Sequence, residues 1–217
     1  MKAIFINGSP RKKGNTAELL SKTMQGASDA GCETKMIHLR DLKFTGCISC
    51  LACKIKGSKC AGLCAIRDDL RPVLEETLAS DILVIGTPVY FHYPTALTRA
   101  FMERLLFAPL DYVNAGSSVL TKKIRCATIY TMHVMNDELF EKMDYAQTLG
   151  VAAKSLELLG PQEVLYFRGL SVFSGLRALS FPSRVRRHSQ QDARGTLSGI
   201  RAPGIRIGAA AGSRKIR

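Results

Sequence analysis

The chain has 217 residues, 46% of them hydrophobic and 23% charged, with no Trp, which suits one globular domain and excludes a collagen, a disulfide miniprotein or a disordered chain. Its formal charge of +13 is uneven: residues 168–217 carry ten Arg, one Lys and one Asp, net +10, whereas residues 1–167 stand at only +3. Apolar runs such as Ile82–Ile85 are far shorter than the roughly 20 residues of a membrane-spanning helix, and the amino-terminal run stops at Asn7-Gly8, too early for a signal-peptide core. A cytoplasmic protein with no membrane role is expected, its seven cysteines serving as thiols, metal ligands or redox groups.

In chain order, Lys2–Ile6 is a short, partly β-branched run that reads as a buried strand. Asn15-Thr16 caps a helix whose Ala17, Leu19, Leu20, Met24 and Ala27 recur at helical spacing until Gly31. A strand over 34–39 and a glycine-bearing cysteine loop over 46–67 follow. Asp68-Asp69 places two carboxylates at the positive end of the next helix, with Leu70, Val73, Leu74 and Leu78 as its stripe. Ile82–Ile85 is apolar throughout, as a central parallel strand covered on both faces should be. Thr95–Phe107 reads as helix, Ile124–Tyr130 as strand, Asp137–Leu159 as helix and Glu163–Phe167 as a last strand. This alternation implies an α/β fold with a doubly wound parallel sheet, whose ligands sit beyond the carboxyl ends of the strands.

After the first strand comes Gly8-Ser9-Pro10-Arg11-Lys12-Lys13-Gly14-Asn15-Thr16. Hydroxyls, an amide, a guanidinium and the N–H groups of a starting helix converge there, a combination that suits a phosphate dianion. The motif is neither a Walker loop nor a dinucleotide Gly-x-Gly-x-x-Gly turn. Taken with Thr87-Pro88-Val89-Tyr90-Phe91 after the third strand and the cysteine loop between them, residues 1–167 resemble the flavodoxin-like NAD(P)H-dependent FMN reductases, nearest to the iron–sulfur flavoproteins and their cysteine-loop relatives. The resemblance implies a five-stranded sheet of order 2-1-3-4-5 with FMN at the switch point. It implies an FMN phosphate held by Ser9, Arg11, Gly14, Asn15 and Thr16. The ring would lie along Pro88, Val89, Tyr90 and Phe91, with Thr131 and Met132 bordering its other side. No protein nucleophile is required, so no catalytic side chain is assigned. His92 replaces the small residue that many relatives carry after this run. It would stack on the flavin, donate a proton, narrow the nicotinamide's approach, or have no role.

Cys47, Cys50 and Cys53 are spaced by two residues, and Cys60 and Cys64 follow. Such spacing suits one tetrahedral ion or three corners of a [4Fe-4S] cube, and equally a loop of reduced thiols, a zinc site or a redox disulfide. The family resemblance leaves two candidates for a fourth ligand: Cys60, whose six-residue gap lies within the range of the iron–sulfur flavoproteins, and Cys64, which precedes the acidic helix start as the family's last cysteine does and is favoured on that ground. Cys32 and Cys126 read as small core residues, and Phe101-Met102-Glu103-Arg104 as core or dimer contact.

The function implied is hydride transfer from NAD(P)H to FMN and on to a small-molecule or protein acceptor, in a homodimer. The rivals are an iron–sulfur electron carrier and a nucleic-acid binder acting through the basic tail. In residues 168–217 the relatives' last helix is replaced by an Arg/Gly/Ser-rich stretch, expected to be disordered or the product of a shifted frame or fusion. Ser171–Ser180 is expected to add a short helix over the sheet.

Overall fold

The computed structural model describes residues 1–169 apart from 56, 58, 59 and 115, together with the backbone of 201–202 and 205–206. The expected helix over 171–180, and nearly all of the expected disordered tail, lie outside the described residues.

The elements alternate: β1 (Lys2–Asn7), α1 (Asn15–Asp29), β2 (Glu33–His38), α2 (Leu70–Ala79), β3 (Ile82–Tyr90), β4 (Tyr93–Pro94), α3 (Ala96–Phe107), β5 (Arg125–Thr131), α4 (Asp137–Lys142), α5 (Tyr145–Lys154) and β6 (Gln162–Phe167). The main strands run in the order β2-β1-β3-β5-β6, all parallel, and β4 turns back antiparallel onto β3. Counting only the parallel strands, this is the expected 2-1-3-4-5 arrangement. Beyond β6, Arg201–Ala202 and Ile205–Arg206 form two short antiparallel strands, β7 and β8.

Alternation along the strands sends side chains to opposite faces. Ala3, Phe5 and Val84 pack with Leu20 and Ala27 of α1. Ile4, Ile6, Leu83 and Ile85 pack with Leu70, Val73 and Leu74 of α2 and with Phe101 and Leu105 of α3. Tyr130 meets Tyr145, Leu149 and Ala153 of α5. The continuous apolar character of β3 therefore has its cause: both its faces are covered. Cys32 and Cys126 are buried within these clusters, as their isolation in the sequence suggested.

Three boundaries depart from expectation. The strand that carries Ile82–Ile85 continues through Tyr90, because its outer half pairs with β5 as far as Pro88 and with β4 at Val89 and Tyr90. The single helix expected over 137–159 is split into α4, α5 and a 3-10 turn over Ser155–Leu158, with Asp144 at φ 47° between the two helices. The N-cap of α1 falls on Gly14 in extended backbone, one residue before the expected cap, and makes no side-chain cap bond.

Candidate functional site

The carboxyl ends of β1, β3 and β5 lie side by side but staggered: Asn7 pairs with Gly86 and Thr131 with Pro88, and β3 runs on to Tyr90. The loop after β1 is held tightly against this edge. Gly8 donates its N–H to the Gly86 carbonyl at 2.8 Å, and its own carbonyl accepts from Thr95 Oγ1 at 2.7 Å. A Cβ at Gly8 would lie 1.9 Å from Thr98 Oγ1, so any larger residue would have to displace that hydroxyl. Thr95 and Thr98 share their hydroxyls at 2.9 Å, and Thr98 Oγ1 donates to Thr87 Oγ1 at 3.1 Å. This buried threonine network fixes the first loop, β3 and the start of α3 as one unit. Sequence reasoning missed it, although Thr95 at a helix start was a visible signal.

Asn7 is fully buried, and its side chain shares a hydrogen bond with His38 Nδ1 at 2.9 Å while accepting from the Ser9 N–H at 3.0 Å. The Arg11 N–H in turn donates to Ser9 Oγ at 3.1 Å, which curls the loop. Ser9 and Thr16 are buried, Asn15 half-buried, and Arg11 and Gly14 exposed. Thr16 Oγ1 and Thr131 Oγ1 lie 2.7 Å apart, so two of the expected binding residues, 115 positions apart in the chain, meet directly. Buried hydroxyls beside a helix start without a side-chain cap, with a guanidinium at the rim, form a donor set whose chemistry suits a phosphate.

On the other side of this edge Pro88 and Val89 are half-buried, and Tyr90, Phe91 and Tyr93 are exposed, Phe91 at 92%. Phe91 and His92 both adopt positive φ, 47° and 72°, a conformation costing about 1–2 kcal/mol per residue that turns the chain into β4. The His92 ring lies 5.3 Å from that of Tyr145, centroid to centroid. Met132 is buried in the α5 cluster, against which Val89 also packs.

The cysteine loop forms a second centre. Cys47, Cys50, Cys53 and Cys64 line one cleft with Arg104 and Phe107, and Cys60 is not among the lining residues. Ser49 and Leu51 adopt positive φ, 55° and 57°, so the backbone winds between successive thiols. Burial pushes the Cys53 thiol up, partly offset by the neighbouring Lys54 ammonium. All seven cysteines are free thiols. Among the described residues no three His, Cys, Asp or Glu side chains converge in a metal-holding group, so the four thiols share a cleft without being drawn together.

Arg104, read from the sequence as core or dimer contact, is a buried cation at this cleft. Its Nε donates to Cys64 Sγ at 3.2 Å and its two Nη atoms to both oxygens of Asp68. Asp68 is thus one of the two carboxylates expected to favour the α2 dipole, yet its main partner lies on α3. Burial alone would push its carboxyl up, but the guanidinium outweighs this and holds it below its ordinary value. Lys54, from the loop, donates to the carbonyls of Phe107, Ala108 and Leu110 and caps the end of α3.

A family model described as NADPH-dependent FMN reductase matches residues 1–136. An iron–sulfur flavoprotein of Methanocaldococcus jannaschii is 36% identical over 104 residues, which cover 48% of this chain and 51% of that protein. One from Archaeoglobus fulgidus is 38% identical over 104 residues, 48% of each chain. The chain thus spans about half the length of these curated relatives. Among solved structures, an NAD(P)H:quinone oxidoreductase from Methanothermobacter marburgensis superposes with a TM-score of 0.61 at 15% identity, covering 79% of this chain and 85% of that one, a likeness of fold.

Proposed function

The chain belongs to the NADPH-dependent FMN reductase family, and from that membership we propose that it is an FMN-dependent oxidoreductase using NAD(P)H as hydride donor. The observation that carries this reading is the meeting of Thr16 and Thr131 at the start of α1, which has no side-chain cap, with Ser9 buried in the loop between β1 and α1. Ser9, Arg11, Gly14, Asn15 and Thr16 would hold the FMN phosphate. Pro88, Val89, Tyr90, Phe91 and Thr131 would border the ring. The chemistry that FMN supplies when bound is hydride acceptance and electron delivery, to a small-molecule or protein acceptor. The protein's own part is to bind, orient and offer backbone N–H groups to a ring that gains negative charge. A homodimer belongs to the same reading, and the exposed Tyr90, Phe91 and Tyr93 offer it apolar surface.

The test is flavin content. Charge-assisted hydrogen bonds to a phosphate contribute about 1.5–3 kcal/mol each, so Arg11→Ala with Asn15→Ala should strip FMN from a protein that stays folded. Equal flavin absorbance after gel filtration of wild type and double variant defeats the assignment.

A second reading, an iron–sulfur electron carrier, is favoured by the cleft that Cys47, Cys50, Cys53 and Cys64 line together. Four thiols are the donor set of a [4Fe-4S] cluster, and they fit it in kind and number. Cys60 is not among the residues lining that cleft, and its sulfur accepts from Arg71 Nη1 at 3.6 Å. After anaerobic reconstitution with iron and sulfide, Cys64→Ser should lower bound iron and Cys60→Ser should not. The opposite order moves the fourth ligand to Cys60, and wild type without stoichiometric iron removes the reading.

A further inference from the structure

We infer that Arg104 is a positioning residue for Cys64: anchored by Asp68, its guanidinium holds the Cys64 sulfur in the cysteine cleft and ties both ends of the loop to α3. The holding follows from the geometry alone; its redox consequence rests on the iron–sulfur reading above.

Arg104 is 1% exposed and is the largest fully buried side chain in the described residues. Arginine is almost never buried unless it is paired, and its fork carries five N–H donors. Here there are five acceptors. Nε donates to Cys64 Sγ at 3.2 Å, Nη1 to the Thr45 carbonyl at 3.2 Å and to Asp68 Oδ2, and Nη2 to the Ile66 carbonyl at 3.2 Å and to Asp68 Oδ1 at 2.9 Å. Thr45 precedes the first loop cysteine by two residues and Ile66 follows the last by two, so one side chain on α3 gathers the two points where the loop enters and leaves. The carboxylate neutralises the guanidinium and fixes its plane, which leaves Nε directed at sulfur.

Fold stability alone does not call for this arrangement, since a buried ion pair is often no more stable than an apolar replacement of similar volume. What the fork adds, and a Leu or Met could not, is an N–H aimed at one chosen thiol. Cys60 makes the contrast. Its partner Arg71 lies near the surface, and that guanidinium also donates to the Cys64 carbonyl at 2.9 Å. Cys64 is therefore gripped at both its backbone and its sulfur. In a bound cluster, an N–H···S bond favours the reduced, more negative state, so Arg104 would raise the reduction potential.

The test uses the full chain with Arg104→Met and Asp68→Asn combined, which removes the grip without leaving either charge buried alone. In cluster-free protein, deuterium exchange of the backbone in 45–53 and 60–68 should rise about tenfold, as expected when roughly 1.4 kcal/mol of local restraint is lost. Segments in β1 and β5 should stay unchanged. Unaltered exchange in the loop, or an equal rise across the sheet, overturns the inference. In reconstituted protein the double variant should retain iron yet show a more negative midpoint potential, because net charge at the cleft is unchanged and the N–H···S bond is lost. An unshifted potential at full iron content overturns the redox consequence. Should wild type itself take up no iron, the iron–sulfur reading falls, and the exchange measurement still decides the role of Arg104.

Discussion

Asp68 shows how a single carboxylate changes meaning once its partner is known. In the sequence it is half of an acidic pair at a helix start, and a dipole effect would make it worth less than about 1 kcal/mol. In the fold it pairs with a fully buried guanidinium 36 residues away, a partner that local spacing cannot reveal. Removing one member of such a pair leaves a buried charge uncompensated, so Asp68→Asn should cost roughly 3 kcal/mol of unfolding free energy at neutral pH. The pH dependence has a definite sign. Because the folded carboxyl titrates below its ordinary 3.8, its stabilising contribution is complete above that value and is lost as pH falls through the folded one. Denaturant melts should therefore show a constant gap between wild type and Asp68→Asn from pH 5 to 8, closing below about pH 4. A gap that persists undiminished into the acid limb would mean that the pair contributes nothing through charge. The residues proposed to hold a phosphate were easier to single out than this pair, because Ser9, Arg11, Asn15 and Thr16 lie within eight positions around one local turn.

At the scale of elements, periodicity worked wherever packing is regular. The apolar stripes of α1, α2 and α3 and the unbroken run in β3 each match a covered face of the sheet. It failed where the backbone turns for local reasons. The break between α4 and α5 rests on Asp144 in the left-handed region, a conformation that Asp tolerates better than most residues but that no spacing of apolar positions announces. The extension of β3 to Tyr90 depends on pairing with β4, a two-residue strand too short to leave a pattern. The cysteine loop lies between these extremes. Its thiol spacing was plain in the sequence, whereas the closure of its two ends through Arg104 needed the third dimension. A buried Arg inside an otherwise apolar helical run was the available clue, because that run had to place its cation somewhere within the core.

For the whole molecule the question is how the far end of the sheet is covered. On the α1 side, Leu165 and Phe167 of β6 pack against the core only in part, and no described helix follows β6 to cover them. On the opposite side α5 packs against Val164 and Tyr166. In the sequence just past Gly169, Val172, Phe173, Leu176 and Leu179 recur at helical spacing, so residues 171–180 carry apolar side chains where the stretch beyond them carries arginines. Apolar surface returned to water costs roughly 25 cal/mol per Å², so the two halves of the tail should separate cleanly on truncation. Ending the chain after Gly169 should lower the melting temperature and weaken flavin retention, whereas ending it after Ser180 should leave both near wild type. The longer of these two products lacks eight of the ten tail arginines, so any salt-sensitive affinity for nucleic acid should vanish from it while reductase activity persists. Loss of flavin binding in the Ser180 product, with DNA binding retained, would mean that the basic stretch is part of the catalytic body and that the nucleic-acid contact lies on the α/β core.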